Sequence, residues 1–112
     1  METPVHHTVS EALDELRDEL RALYGDRLAH TVLFGSHARG EARPDSDVDV
    51  LVVLRGPIST YVEIKRLVPV AMGLWERYGL DVQLTPFSTE RYADERHPLV
   101  MNVRREGRPL PL

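Results

Sequence analysis

The chain has 112 residues, of which 42% are apolar and 29% charged, and its formal net charge is −4 at pH 7. A chain of this length buries one hydrophobic core rather than two, so we expect a single domain over residues 1–112. The negative net charge indicates no basic surface of the kind that binds nucleic-acid backbone. The absence of cysteine excludes disulfides, thiolate metal sites and thiol nucleophiles.

The amino-terminal segment has neither the charged nor the apolar region of a signal peptide, and no apolar run approaches 18 residues. We therefore expect a cytoplasmic protein that makes no membrane contact. Residues 1–7 are predicted to be a loose arm before an ordered core of about residues 8–106. His6 and His7 lie in this arm, where adjacent histidines are more often solvated than metal-bound, and their role stays open.

The first helix is predicted to begin near Thr8, because Thr8 and Glu11 have the spacing of a capping box. Apolar residues then recur every three or four positions and form one helix face, namely Val9, Leu13, Leu16, Leu20 and Leu23. An apolar strand over residues 28–34 follows and ends at a Gly-Ser pair. Residues 36–39 are predicted to form a short helix, followed by a loop over residues 40–46.

Two aspartates, Asp47 and Asp49, open a second strand that is predicted over residues 47–54. Strand residues two positions apart point to the same face, so the two carboxylates project together. Neighbouring carboxylates at the start of a buried strand repel each other and are costly to desolvate. A divalent cation would relieve that cost. The apolar run after Asp49 indicates that the strand is buried on both faces.

A longer helix is predicted next, in which Pro69 either produces a kink or marks the true start. Its apolar side contains Leu67, Val70, Ala71, Leu74, Trp75 and Tyr78. We interpret the two aromatic residues as core or partner-facing rather than base-stacking. After Gly79, residues 80–84 form a third predicted strand that carries Asp81.

The carboxyl-terminal part is predicted to be turn-rich over residues 86–92, with a short helix or strand over residues 100–105 and a proline-containing tail whose order the sequence does not indicate. The element order is helix, strand, short helix, strand, helix, strand. This order predicts an α+β fold in which a small mixed sheet is flanked by helices and functional residues lie at strand ends.

The polar residues at these strand ends suit phosphoryl chemistry. The Gly35-Ser36 turn offers backbone amides and a hydroxyl to phosphate. Asp47, Asp49 and Asp81 offer the hard oxygen ligands that magnesium prefers. Two magnesium ions about 3.5–4 Å apart can stabilise the attacking and leaving oxygens of a displacement at phosphorus.

Gly35-Ser36, ten intervening residues and then Asp47-Val48-Asp49 resemble the G-S-x10-D-x-D signature of the DNA polymerase β-like nucleotidyltransferase superfamily. Asp81 matches the third carboxylate of that family. The resemblance extends over about residues 8–106 and is strongest to the minimal nucleotidyltransferases, short proteins that often act as antitoxins to HEPN-domain ribonuclease toxins. It implies the polymerase β palm-like fold.

The resemblance also implies roles for individual residues. Gly35 and Ser36 would hold the phosphates of a nucleoside triphosphate, and Arg39 would approach the triphosphate or brace the loop. Asp47 and Asp49 would bind two Mg²⁺ ions, and Asp81 would complete the metal site and orient the acceptor hydroxyl. The implied reaction transfers AMP from ATP to a toxin tyrosine.

Two alternative functions remain open at this point. In the first, the chain is an antitoxin that acts by binding alone and has a vestigial nucleotide site. In the second, it modifies a small molecule of the aminoglycoside type. His37 departs from the family pattern, which often has arginine or an aromatic residue there, and we interpret it as a solvated helix residue. The sequence does not indicate the nucleobase, the partner or the oligomeric state.

Overall fold

The structure, a computed structural model, describes residues 5–43 and 46–110, with side chains described from Val9 onward. Four strands form one mixed sheet: β1 (Leu28–Phe34), β2 (Val48–Leu54), β3 (Val82–Ser88) and β4 (Arg108–Pro109). Their order in the sheet is β3-β2-β1-β4. Strand β1 is antiparallel to both β2 and β4, whereas β2 and β3 are parallel.

The described helices are α1 (Val5–Tyr24), α2 (Ser36–Arg39), α3 (Thr60–Tyr78), α4 (Thr89–Tyr92) and α5 (Pro98–Glu106), with a 3₁₀ turn at Gly25–Arg27. The structure confirms the predicted fold class, a mixed sheet flanked by helices. Among the helices described, none has both the length and the apolar character needed to cross a bilayer.

Strand β2 lies at the centre of the core, as its apolar run predicts. Every β2 residue except Asp49 is fully buried. Alternate residues face opposite sides of the sheet. Val48, Val50, Val52 and Leu54 pack with α1 and α3, while Leu51 and Val53 pack against α5. Asp49 alternates with Leu51 and Val53, so its side chain lies on the face of the sheet that packs against α5.

The first helix begins at Val5 and not near Thr8, so the predicted loose arm is wrong for residues 5–7. No glycine or proline interrupts the chain between Val5 and Thr8, and the helix continues upstream of the capping-box pattern. The side chains of His6 and His7, and residues 1–4, lie outside the described part. The buried face contains Val9, Ala12, Leu16, Leu20 and Tyr24, with the predicted Leu23 exposed instead.

The third strand is longer than predicted, and it begins two residues further along the chain. It runs over Val82–Ser88, so Asp81 lies just before it, and Pro86 is a strand residue rather than part of a turn. A proline removes one ladder hydrogen bond, which is tolerated on an edge strand. Strand β3 is at the edge of the sheet, and this position explains why the sequence around Pro86 does not end the strand.

The carboxyl-terminal segment is packed and not a free tail. The predicted element over residues 100–105 is the helix α5, after which β4 pairs with β1. The Leu110 amide donates a hydrogen bond to the Thr31 carbonyl over 2.9 Å, and the Leu110 side chain is buried in the core. The prediction of an ordered core ending near residue 106 is therefore wrong by one short strand.

Helix α3 continues through Pro69 and begins at Thr60, so the proposal that proline marks its start is wrong. The Ser59 side chain accepts a hydrogen bond from the Val62 amide and caps the helix. Pro69 is exposed, on the side of the helix where water can hydrate the carbonyl that proline leaves unpaired. Trp75 is also exposed, and does not belong to the core.

A buried carboxylate joins α3 to α1. Glu63 is 3% exposed, accepts a hydrogen bond from the Tyr24 hydroxyl over 2.9 Å, and lies 3.6 Å from Arg27 and 3.5 Å from Arg66. Burial is the main reason that the pKa of Tyr24 is raised, with Glu63 adding to it. The two arginines are partly exposed, so water can hydrate them when Glu63 is replaced.

We expect Glu63→Ala to lower the free energy of unfolding by about 2 kcal/mol, because it leaves the buried Tyr24 hydroxyl without its acceptor. Glu63→Gln keeps an acceptor and should cost about half as much. Urea unfolding of both variants measures the difference. Equal losses in the two variants would assign the effect to the lost charge and not to the hydroxyl.

Candidate functional site

The acidic residues lie at one end of the sheet. Strand β1 is antiparallel to β2, so the turn after Phe34 lies beside the start of β2. Strand β3 is parallel to β2, and so its start lies at the same end. This topology places Gly35, Asp47, Asp49 and Asp81 in one neighbourhood. The structure thus brings the predicted turn and the predicted acids to one edge.

Gly35 lies tightly against the side chain of Asp49. Phe34 pairs with Asp49 across the two strands, and Gly35 then leaves β1 with φ +78° and ψ −157°. That region of backbone space is essentially restricted to glycine. A Cβ atom on Gly35 would lie 2.5 Å from Oδ2 of Asp49. Glycine is therefore required here both for its backbone conformation and for the space that the carboxylate occupies.

Burial raises the pKa of the half-buried Asp49 carboxyl, and repulsion from Asp47 raises it further. The positive charges of His37 and Arg39 act in the opposite direction, and Asp81 adds a smaller upward effect. Asp47 precedes Asp49 by two residues, the spacing of side chains on one face of an extended chain. A cation bound between them would remove this repulsion.

Asp81 lies beside this pair but is held by another residue. Its backbone carbonyl accepts a hydrogen bond from the Val48 amide over 2.8 Å, and its Oδ1 accepts one from the Gln83 side chain over 2.8 Å. In the part of the chain that the structure describes, no three acidic or histidine side chains are close enough to hold a metal ion together. The structure therefore brings Asp47 and Asp49 together and leaves Asp81 as a neighbour.

Gln83 is a site residue that was not predicted from the sequence, although the sequence contains a signal for it. Gln83 lies two residues after Asp81, which is the spacing of side chains on one face of a strand, and it pairs with Asp49 in the parallel register. Its hydrogen bond orients the third carboxylate.

His37 is half-buried and closer to the acids than predicted. Its Nε2 lies 3.4 Å from the Ser46 carbonyl, and its charge lowers the pKa of Asp49. His37 is thus a helix residue that is only partly solvated, and its role stays a prediction. Ser36 opens α2 immediately after Gly35, whose carbonyl accepts hydrogen bonds from the Ala38 and Arg39 amides.

Arg39 forms two ion pairs, one of them with the loop that follows α2. Its guanidinium donates to Glu41 over 2.8 Å and to Glu106 of α5 over 3.1 Å. These hydrogen bonds raise the pKa of Arg39. The side chain thus connects α2 to the last turn of α5.

We expect Arg39→Gln and Glu106→Gln to raise the KM for nucleotide by similar factors, each less than about fivefold, because exposed ion pairs are weak. The double variant should be no worse than either single one. Steady-state kinetics of the three variants checks this. An effect of Arg39→Gln much larger than that of Glu106→Gln would indicate direct contact with phosphate.

The donor set at this edge suits a hard divalent cation. Asp47 and Asp49 supply carboxylate oxygens, which are the ligands that magnesium prefers. Burial and then repulsion from Asp47 raise the pKa of Asp49, and a bound cation would offset both effects. Magnesium commonly completes its coordination with water and substrate phosphates, so two protein carboxylates are sufficient for binding.

The chain was compared with known proteins. Residues 13–103 match the protein family described as nucleotidyltransferase domain. The chain is 31% identical over 80 residues to "putative protein adenylyltransferase MJ0141" of Methanocaldococcus jannaschii, which covers 70% of this chain and 76% of that protein. These similarities confirm the predicted enzyme class.

Two solved structures are also similar. A chain described as "putative minimal nucleotidyltransferase" has a TM-score of 0.61 at 28% identity and covers 99% of this chain and 98% of its own length. A chain in the complex of tri-AMPylated Shewanella oneidensis HEPN toxin with MNT antitoxin has a TM-score of 0.55 at 19% identity, covering 89% and 69%, which is a likeness of fold. Because the family match extends over most of the chain, this protein belongs to the nucleotidyltransferase domain family.

Proposed function

We propose that this protein is a magnesium-dependent adenylyltransferase that transfers AMP from ATP to a hydroxyl, namely a tyrosine of a HEPN ribonuclease toxin, and thereby acts as an antitoxin. The observation that carries the proposal is the contact of the Gly35 turn with Asp49. This contact supports the proposal because it brings the turn that we propose to bind phosphate beside a carboxylate. We propose that this chemistry belongs to a single cytoplasmic domain.

The proposed roles follow from the position of each residue. The backbone amides and hydroxyl at Gly35 and Ser36 bind the β- and γ-phosphates. Asp47 and Asp49 hold Mg²⁺, which when bound neutralises phosphate charge and polarises the α-phosphorus. Asp81, oriented by Gln83, completes the site on the acceptor side. Arg39 acts indirectly, as a brace for the loop that follows Ser36.

In the proposed reaction, the acceptor oxygen forms a bond to the α-phosphorus while the bond from that phosphorus to the bridging oxygen of the β-phosphate breaks. Pyrophosphate leaves and carries the bonding electron pair. Asp81 accepts the proton of the acceptor hydroxyl or orients it towards water. Most of the rate acceleration would come from positioning the substrates and stabilising charge, since the protein forms no covalent bond to the transferred group in this reaction.

The partner is proposed from similarity. The fold resembles that of a chain in a complex that contains an AMPylated HEPN toxin and an MNT antitoxin. The Methanocaldococcus jannaschii relative is named as a protein adenylyltransferase. Both names support a protein hydroxyl as the acceptor and AMP as the transferred group.

The proposal is tested by incubating the full chain with Mg²⁺, ATP labelled at the α-phosphate and a co-expressed candidate toxin. We expect label on a toxin tyrosine, identified by mass spectrometry, and loss of labelling when EDTA is added. Absence of transfer to any protein, with ATP, GTP, CTP or UTP as donor, would remove the enzymatic claim.

A second candidate function is neutralisation by binding alone. It is favoured by one observation, that Asp81 does not join the other two acids in a three-ligand group among the described residues. The Asp47→Ala, Asp49→Ala double variant separates the two functions. Full neutralisation of a toxin by an equimolar amount of this variant would favour binding over catalysis.

A further inference from the structure

Helix α3 carries an apolar stripe on its exposed side. The stripe consists of five large residues that are between 45% and 70% exposed, namely Tyr61, Ile64, Val68, Met72 and Trp75. Their spacing of three and four residues places them on one side of the helix. The buried residues of α3 include Leu67 and Leu74, so the stripe is a second apolar surface beside the one that packs on the sheet.

The stripe is one contiguous apolar patch and not a set of scattered surface residues. From the exposed fractions and ordinary side-chain areas, it presents on the order of 600 Å² per chain, the upper end of about 300–600 Å² for the largest apolar patch of a monomer. Two such surfaces buried completely against each other would remove on the order of 1,200 Å² from water, so the stripe is large enough for the roughly 1,000 Å² that a specific interface needs.

We propose that the stripe is the interface of a homodimer in which two α3 helices cross in antiparallel orientation at Val68. In a twofold contact the same patch faces itself, so the residues must be arranged symmetrically about one point. The stripe meets this requirement, because its successive spacings are three, four, four and three. Tyr61 then faces the second copy's Trp75, and Ile64 faces its Met72.

The sizes and charges along the stripe also fit a crossing of two identical helices. The smallest residue, Val68, lies at the crossing point where the helices approach most closely, and the aromatic residues lie at the ends where crossed helices diverge. Lys65 and Glu76 lie along the same side of the stripe, on opposite sides of Val68. Antiparallel pairing brings Lys65 of one copy to the half of the second copy's helix that carries Glu76.

The dimer would also shape the approach to the candidate site. The stripe residues Ile64, Val68 and Met72 form one wall of a groove of about 390 Å³, and Asp81 and Gln83 lie on its other wall. A second copy on the stripe would cover one side of this groove. This inference does not rest on the transfer reaction, since the dimer is expected whether or not AMP is transferred.

The first test is the molar mass of the full chain by sedimentation equilibrium over a concentration series. We expect twice the 12.8 kDa of one chain at high concentration. Val68→Glu places two carboxylates opposite each other at the twofold axis and should give a monomer. Met101→Glu, an equally exposed apolar residue on α5, is the matched control and should remain dimeric.

The second test uses the absence of natural cysteine. Under mild oxidation, Val68→Cys should form a disulfide-linked dimer by itself. Ile64→Cys and Met72→Cys, which lie next to the crossing point, should crosslink efficiently only when the two variants are mixed. A monomer at every concentration, or a dimer in which Ile64→Cys crosslinks to itself, would overturn the proposal.

Discussion

Asp49→Asn is expected to lower the rate of nucleotidyl transfer by about 100- to 1,000-fold while leaving the folded state as stable as the wild type or more stable. The loss of rate follows from the loss of a carboxylate charge beside the phosphate-binding turn. The effect on stability follows from the raised pKa of Asp49, whose first cause is burial and second cause is repulsion from Asp47.

The direction of the stability effect can be derived from this pKa. An acid whose pKa is higher in the folded than in the unfolded state binds more protons when folded, so its contribution to stability decreases as the pH rises from the unfolded pKa through the folded pKa. At pH 7 the ionised Asp49 therefore destabilises the fold. Asparagine is nearly isosteric and removes this charge. Thermal unfolding at pH 7 without metal should show an equal or higher Tm.

The matched control is Asp18→Asn, which removes one exposed negative charge from α1, far along the chain from the acidic edge. It should leave the transfer rate unchanged. Mg²⁺ with ATP should raise the Tm of the wild type and of Asp18→Asn, but not that of Asp49→Asn, because a ligand stabilises only the form that binds it. A lowered Tm of Asp49→Asn together with lost activity would indicate that Asp49 serves the fold and not the reaction.

Local patterns predict the parts of this fold that depend on short-range rules. The apolar run of β2 and the helical spacing in α1 and α3 each specify one element and its buried side. The predictions are wrong where the structure of a segment depends on a part of the chain that is distant in sequence. Pro86 is compatible with a strand because β3 lies at the sheet edge, and the residues after Glu106 are ordered because β1 offers them a free edge. Neither fact can be read from neighbouring residues.

In the candidate site, too, some features follow from local sequence and others depend on tertiary packing. The Gly-Ser pair and the Asp47-Val48-Asp49 spacing are visible in the sequence, and the structure brings the turn against Asp49. The ion pair of Arg39 with Glu106 depends on packing between separate elements. The hydrogen bond from Gln83 to Asp81 is local, but the place of Asp81 beside the other two acids depends on the pairing of β3 with β2. For this reason its role remains a prediction.

Gly35→Ala is expected to abolish measurable transfer and to lower the free energy of unfolding by about 1–3 kcal/mol, for two separable reasons. The first is backbone strain, because alanine rarely adopts φ +78°. The second is steric, because the new Cβ would lie 2.5 Å from Oδ2 of Asp49 and the carboxylate must move. Only the second reason acts on the proposed metal ligand.

Gly79→Ala separates the two reasons. Gly79 ends α3 with φ +68°, and a Cβ atom there would meet nothing within 4 Å. Both variants should therefore lose stability through strain, by about 1–2 kcal/mol for Gly79→Ala, but only Gly35→Ala should lose transfer. Urea unfolding and initial rates under saturating ATP measure the two effects. If Gly79→Ala lost activity to the same extent, the loss would follow from reduced stability, and the contact between Gly35 and Asp49 would have no specific role in the reaction.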